Sequence, residues 1–248
     1  MLYDDAHVQY HTTSGYIRVV TDGHNLPAFW SHPEAGGRYP GLVLLHDEFG
    51  LTSRARVWVR RFAEMGFYVI APDLYDGQIA ADAVQARALR EQLGEAGPPR
   101  VSAALEVIKT HHRCTGKMGI VGWGMGGELA YHAAAYRDDI LAAVIFYGDP
   151  GAFLTILNAN ETPLLAFYGD DDADVPPAML NRLSQAMSVS PAAEHLVIFP
   201  GVANGFLDEE SPHYHPQYAA RAWKHMIGFL YEHLGATPGA SREHDPLG

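Results

Sequence analysis

Short apolar runs alternate with helix-length segments along most of the chain, and this alternation restricts the fold to an α/β class built on a mostly parallel central sheet flanked by helices. The runs at 40–46, 68–71, 118–121, 142–147, 164–168 and 195–199 are strand-length and bounded by turn residues, so they read as strands. Between the first two, 54–65 ends at Gly66 and reads as a helix, which completes a right-handed βαβ unit. Helices are also expected over 81–93, over 101–111 beyond the breaker 94–99, and over 216–234. Ahead of these, 16–20 and 26–30 flank the turn cluster Thr21-Asp22-Gly23-His24-Asn25 and predict an N-terminal hairpin. With 248 residues, 48% of them hydrophobic, residues 1–234 suffice for one domain with one large core. The Gly-, Pro- and charge-rich stretch 235–248 is expected to be a flexible tail.

The strand at 118–121 runs into Gly122-Trp123-Gly124-Met125-Gly126-Gly127, after which a helix is expected from about Glu128. A strand–turn–helix of the form G-x-[Ser/Cys]-x-G lifts a nucleophile above the end of a sheet. Its third position here is Gly124, which has no side-chain atom to attack with. Four other segments accompany the turn: Leu44-Leu45-His46-Asp47-Glu48-Phe49-Gly50-Leu51, Ala71-Pro72-Asp73-Leu74-Tyr75, Gly169-Asp170-Asp171-Asp172-Ala173-Asp174-Val175-Pro176, and Phe199-Pro200-Gly201-Val202-Ala203-Asn204-Gly205-Phe206. In this order, the five segments resemble the dienelactone hydrolase family of the α/β-hydrolase fold, over roughly residues 13–234.

The resemblance implies that nucleophile, acid and base fall at Gly124, Asp172 and Asn204, so only Asp172 keeps its chemistry. Asn204 stands in the pattern Pro-Gly-x-x-His-Gly-Phe at the histidine's place; an amide accepts no proton at neutral pH, and its expected role is a hydrogen bond to Asp172. Asp170, Asp171 and Asp174 crowd Asp172, and their charges should raise one another's pKa. The family carries Glu directly after the residue aligned with His46, whereas this chain has Asp47 and then Glu48. The backbone N–H groups of Glu48 and Met125 are implied to face a substrate oxyanion. Asp47, Glu48, Met125 and Trp123 are therefore the expected ligand-binding residues, and Trp123, Tyr147 and Phe206 either line a pocket or pack in the core.

Two losses in one relay point away from ordinary ester or lactone hydrolysis and toward a protein that binds a small carbonyl- or carboxylate-bearing ligand. An alternative is an active hydrolase with displaced chemistry, in which Asp172, Asp47, Glu48 or His213 activates water. A third follows from Gly122-x-Gly124-x-x-Gly127, a literal dinucleotide fingerprint with Asp149 downstream, although such a motif normally follows the first strand of its domain.

The net charge of −12 argues against nucleic acid and acidic membranes as partners, and no apolar run approaches the roughly 18 residues of a membrane span. The 14 histidines match no metal-ligand spacing, and His213 with His215 reads as a surface turn, so neither metal nor cofactor is expected. A lone Cys114 and no secretory signal over 1–10 imply a cytoplasmic protein. Arg54, Arg56, Arg60 and Arg61 read as a solvated helix face from which one could reach a ligand. The oligomeric state is left open.

Overall fold

The computed structural model describes residues 9–21, 24–157, 159–192 and 194–236. All but the first two residues of the expected tail 235–248, and the tip of the hairpin turn, Asp22 and Gly23, lie outside them. Eight strands form one sheet: β1 (Thr12–Thr21), β2 (His24–Pro33), β3 (Tyr39–Leu45), β4 (Tyr68–Pro72), β5 (Cys114–Trp123), β6 (Ile140–Phe146), β7 (Leu164–Gly169) and β8 (Glu194–Phe199). Their spatial order is β1-β2-β4-β3-β5-β6-β7-β8. The hairpin β1–β2 is antiparallel, with Tyr16 opposite Phe29, and joins β4 antiparallel; every pairing from β4 through β8 is parallel. The α/β-hydrolase architecture expected from the sequence is present.

The helices are α1 (Ser53–Glu64), α2 (Ala83–Leu93), α3 (Gly97–Thr110), α4 (Met125–Tyr136), the single turn α5 (Leu154–Leu157), α6 (Pro177–Ser188) and α7 (Pro216–Leu234). One face of the sheet is covered by α1 and α7 through Val59, Phe62, Trp223 and Leu230, and the other by α2 to α6 through Leu89, Leu105, Tyr131 and Leu183. Parallel strands covered on both faces must be apolar throughout, and β3 and β4 are buried at every residue. Among the described residues no helix is long and apolar enough to cross a membrane.

Two boundaries differ from expectation. Helix α3 begins at Gly97 because Pro98 and Pro99 occupy its first turn, where a missing N–H costs nothing; the supposed breaker is a helix start. The elbow helix α4 begins at Met125, three residues before Glu128, so the turn is tighter than the glycine run suggested.

The order of the sheet fixes where a site can lie. From β3 the chain crosses to β4 on one side, and from β5 it crosses to β6 on the other, so the carboxyl ends of adjacent β3 and β5 diverge and leave a crevice. Into it lead residues 46–52 after β3 and the Gly124 turn after β5.

Candidate active site

Gly124 has φ 50° and ψ −118°, a left-handed conformation that favours glycine, and its N–H is tied back to Phe146 O at 2.9 Å. The elbow is thus fully formed. Its tightness depends on Gly126 as well, where a Cβ would come within 2.4 Å of Leu45 O and force α4 off the sheet. A Cβ placed on Gly124 would lie 2.6 Å from Glu48 Oε1 and 2.7 Å from Oε2. The Glu48 carboxylate therefore stands where the side chain of a nucleophile would project.

Glu48 Oε1 also accepts a hydrogen bond from Met125 N at 3.0 Å. Helix α4 has no side-chain N-cap of its own, so this bond satisfies one of its orphan donors and sets a negative charge at the positive end of the helix dipole. The Met125 N–H, expected to face a substrate oxyanion, is taken here by a side chain of the protein itself. The sequence placed Glu48 here through its backbone; that its carboxylate fills the site was not legible.

Asp47 lies beside it and accepts from Phe49 N at 2.9 Å. Burial pushes its carboxyl up to about 6, partly opposed by that hydrogen bond, with Glu48 and Asp208 raising it and Arg54 lowering it. The preceding His46 is 2% exposed; its Nδ1–H donates to Asp47 O at 2.8 Å and its Nε2 accepts from Leu74 N at 3.1 Å. Burial holds its pKa down to about 4, so His46 is a neutral strut and no base.

These two neighbours oppose each other in pH dependence. Folding favours protonated Asp47, so acidification from about 6 toward the ordinary carboxylate range stabilises the protein through it. Folding disfavours protonated His46, so acidification from the ordinary imidazole value toward about 4 destabilises through it. Each contributes at most about 1.4 kcal/mol per pH unit. Asp47→Asn should therefore steepen the loss of stability between pH 6 and 4.5 in urea unfolding; a profile parallel to that of the parent would contradict this assignment.

The remaining triad-equivalent positions lie on loops after β7 and β8. Asp172 is 4% exposed, and its Oδ1 accepts from Asp174 N at 2.9 Å, while its Oδ2 is buried with no hydrogen-bond partner. The expected Asn204–Asp172 hydrogen bond is thus not made through that oxygen. Asn204 is half-buried and faces the cavity instead. The Asp172 pKa is raised, first by burial and only then by Asp174; crowding of the loop, the expected cause, is secondary. A buried carboxylate with one unpartnered oxygen is a liability. Asp172→Asn is expected to stabilise the protein on the order of 1 kcal/mol at pH 8, with the gain fading at acid pH where Asp172 is protonated. Thermal unfolding at both pH values checks this, and a loss of stability at pH 8 would show that the charge is compensated.

The cavity above Gly124 has a volume of about 380 Å³, within the range of small-molecule sites. Trp123 and Tyr147 line it, whereas Phe206 is fully buried in the core. Tyr147 sits at φ 56° and its hydroxyl accepts from Leu207 N at 3.2 Å, which locks the ring against the site. Trp58 of α1, absent from the sequence-based list, lines it too, with its ring 5.7 Å from that of Trp123. Its signal was the amphipathic spacing of Arg54, Ala55, Trp58 and Phe62 on one helical face.

The arginine row separates into individual roles. Arg54 reaches the cavity and is ion-paired to Asp208, with Glu210 3.8 Å from its Nε. Arg56 donates to Leu51 O, Arg60 lies over Phe29, and Arg61 lies over Trp58 and pairs with Glu209.

His213 is exposed and does not line the cavity, which removes it as a water-activating base. His215 caps α7, accepting from Tyr218 N. Cys114 is buried at the start of β5 with its thiol pKa raised by burial, far along the strand from the elbow. Among the described residues no group of three His, Cys, Asp or Glu could hold a metal ion. As for the fingerprint, Gly127 packs against Gly148 and Asp149 caps its own turn through Gly151 N, while Glu48 occupies the helix end that a pyrophosphate would need.

Known proteins are similar to this chain in sequence and in fold. A Yersinia pestis protein assigned as a carboxymethylenebutenolidase is 27% identical over 242 residues, covering 90% of this chain and 90% of that one. Protein usf of Aquifex pyrophilus is 27% identical over 230 residues, covering 88% of this chain and 98% of its own. In solved structures the fold recurs in a dienelactone hydrolase-like promiscuous phosphotriesterase from metagenomic libraries, with a TM-score of 0.79 at 22% identity, covering 90% of this chain and 99% of that one. The dienelactone hydrolase from Anabaena variabilis shares it with a TM-score of 0.67 at 18% identity, covering 90% and 99%. The model of the dienelactone hydrolase family matches residues 26–234, and the chain, with its elbow, its acid loop and its crevice in register, belongs to that family.

Proposed function

We propose that this protein is a family member that has given up hydrolysis through an elbow nucleophile and instead binds a small molecule in the cavity above Gly124. Several of its relatives carry the names of hydrolases, so the reading turns on the residues at this chain's own elbow. What carries it is the Glu48 carboxylate, which fills the nucleophile's place and holds the Met125 N–H. With Asn204 at the base position, no proton relay connects that place to Asp172. Loss of such a unit commonly costs about 10⁶-fold in turnover.

A panel of lactones and activated esters tests this, with Asp172→Asn and heat-denatured protein as controls. Rates indistinguishable from the denatured sample support the reading. Turnover well above it, abolished by Asp172→Asn, would end it.

One observation favours a second reading. The same carboxylate could take a proton from water as the hydroxide adds to a carbonyl, making Glu48 the base of a displaced hydrolysis. It is the weaker account because the donor that would hold the resulting oxyanion is already engaged by Glu48 itself. Hydrolysis abolished by Glu48→Gln but untouched by Asp172→Asn would establish it.

A further inference from the structure

The charges around the cavity define the chemistry of its occupant. Asp47, Glu48, Asp208 and Glu210 all line it, against Arg54 as the one cationic side chain of its described lining, His46 being neutral. Arg54 is already matched by Asp208 and Glu210. The positive end of α4, the feature that would ordinarily draw an anion to an elbow, is neutralised from within by Glu48 at 3.0 Å. A carboxylate ligand would have to expel Glu48 and then sit among like charges, on a chain whose net charge is −12. The carboxylate-bearing ligand expected from the sequence is therefore the wrong sign for this cavity.

The walls favour the opposite charge. Trp58, Trp123 and Tyr147 line the cavity together with these carboxylates, Trp58 with Arg61 already over its ring and Trp123 with one face stacked on Phe146. Aromatic faces next to acidic groups attract an alkylated ammonium, whose charge is diffuse and whose surface is apolar, more than a hydrated metal ion. A volume of about 380 Å³ suits a molecule of that size.

We propose that the cavity over Gly124 binds a small organic ammonium ion, with Glu48 as its counter-ion and the Trp58–Trp123 pair as its wall. This inference rests on the ligand-binding reading above and adds the class of ligand. Glu48 then has two partners, the α4 amide and the bound cation.

The test is a titration of the full chain, by calorimetry and tryptophan fluorescence, with three probes: choline, its neutral carbon isostere 3,3-dimethylbutan-1-ol, and succinate. Choline should bind at least tenfold more tightly than the alcohol, weaken as salt is raised, and lose tenfold or more in Glu48→Gln. Circular dichroism verifies that the variant is folded. Should Glu48→Gln fail to fold, Asp208→Asn, which frees Arg54 at the rim, should weaken choline in the same direction. Equal binding of the alcohol, or tighter binding of succinate, would overturn the cationic class while leaving a ligand-binding cavity standing. Silence toward all three probes would overturn the inference together with the binding reading beneath it.

Discussion

Gly124→Cys combined with Asn204→His should raise the hydrolysis of activated esters by about 10³-fold over the parent protein, with either change alone giving little. The reason lies in what the scaffold has kept. The elbow still holds residue 124 at φ 50° and ψ −118°, the sharp, strained turn on which an elbow of this kind presents its nucleophile. Asp172 Oδ2 is buried and unpartnered, an acceptor without a donor, and an imidazole at 204 would supply one. The obstacle is Glu48, whose oxygens lie 2.6 and 2.7 Å from the new Cβ. They are the far end of a flexible side chain, so Glu48 can swing aside, and doing so frees the Met125 N–H for an oxyanion. Because nucleophile and base act as one unit, the gain should appear only in the double variant. Steady-state kinetics on the two single variants and the double variant measure this, and additive small effects would mean that the loops no longer hold triad geometry.

Phe146→Ala should lower stability by about 3–5 kcal/mol, the largest loss expected from one core substitution near the site. Phe146 is fully buried at the end of β6, stacked on Trp123 at 5.4 Å and on Phe167 at 4.8 Å. The stack crosses β5, β6 and β7 in register and extends to Phe199 of β8, forming the floor on which the cavity's Trp123 wall rests. Removing the ring leaves a void that rigid neighbouring strands cannot close. In thermal unfolding this corresponds to a fall of roughly 6–20 °C for a domain of this size. A loss below about 1 kcal/mol in urea unfolding would show that the stack is loosely packed and that the wall has another support.

The architecture was largely legible because it follows from local rules. The apolar strand runs, the glycine that closes α1 and the hairpin cluster each predicted an element that formed, since buried parallel strands leave so plain a mark. The proline pair in the first turn of α3 misled because a proline stops one helix and opens the next with equal ease. At the site, the resemblance to the family implied the positions Gly124, Asp172 and Asn204, and the glycine at 124 is plain from the sequence itself. What escaped were relations between distant residues. Arg54 meets Asp208 across 154 positions and Glu48 meets Met125 across 77, and no local pattern encodes either. The orphaned oxygen of Asp172 was equally hidden, because the sequence offers Asn204 as a partner and only the packing shows that it faces elsewhere.

The Glu48 carboxylate, and no nucleophile, occupies the elbow. Rapid-mixing hydrolysis of an activated ester, with intact-mass analysis of the protein at each time point, decides whether this is so. Neither a burst nor an acyl adduct is expected in the parent protein or in Glu48→Gln. A burst accompanied by a mass increase of one acyl group, persisting in Glu48→Gln, would reveal another nucleophile at the elbow and contradict it.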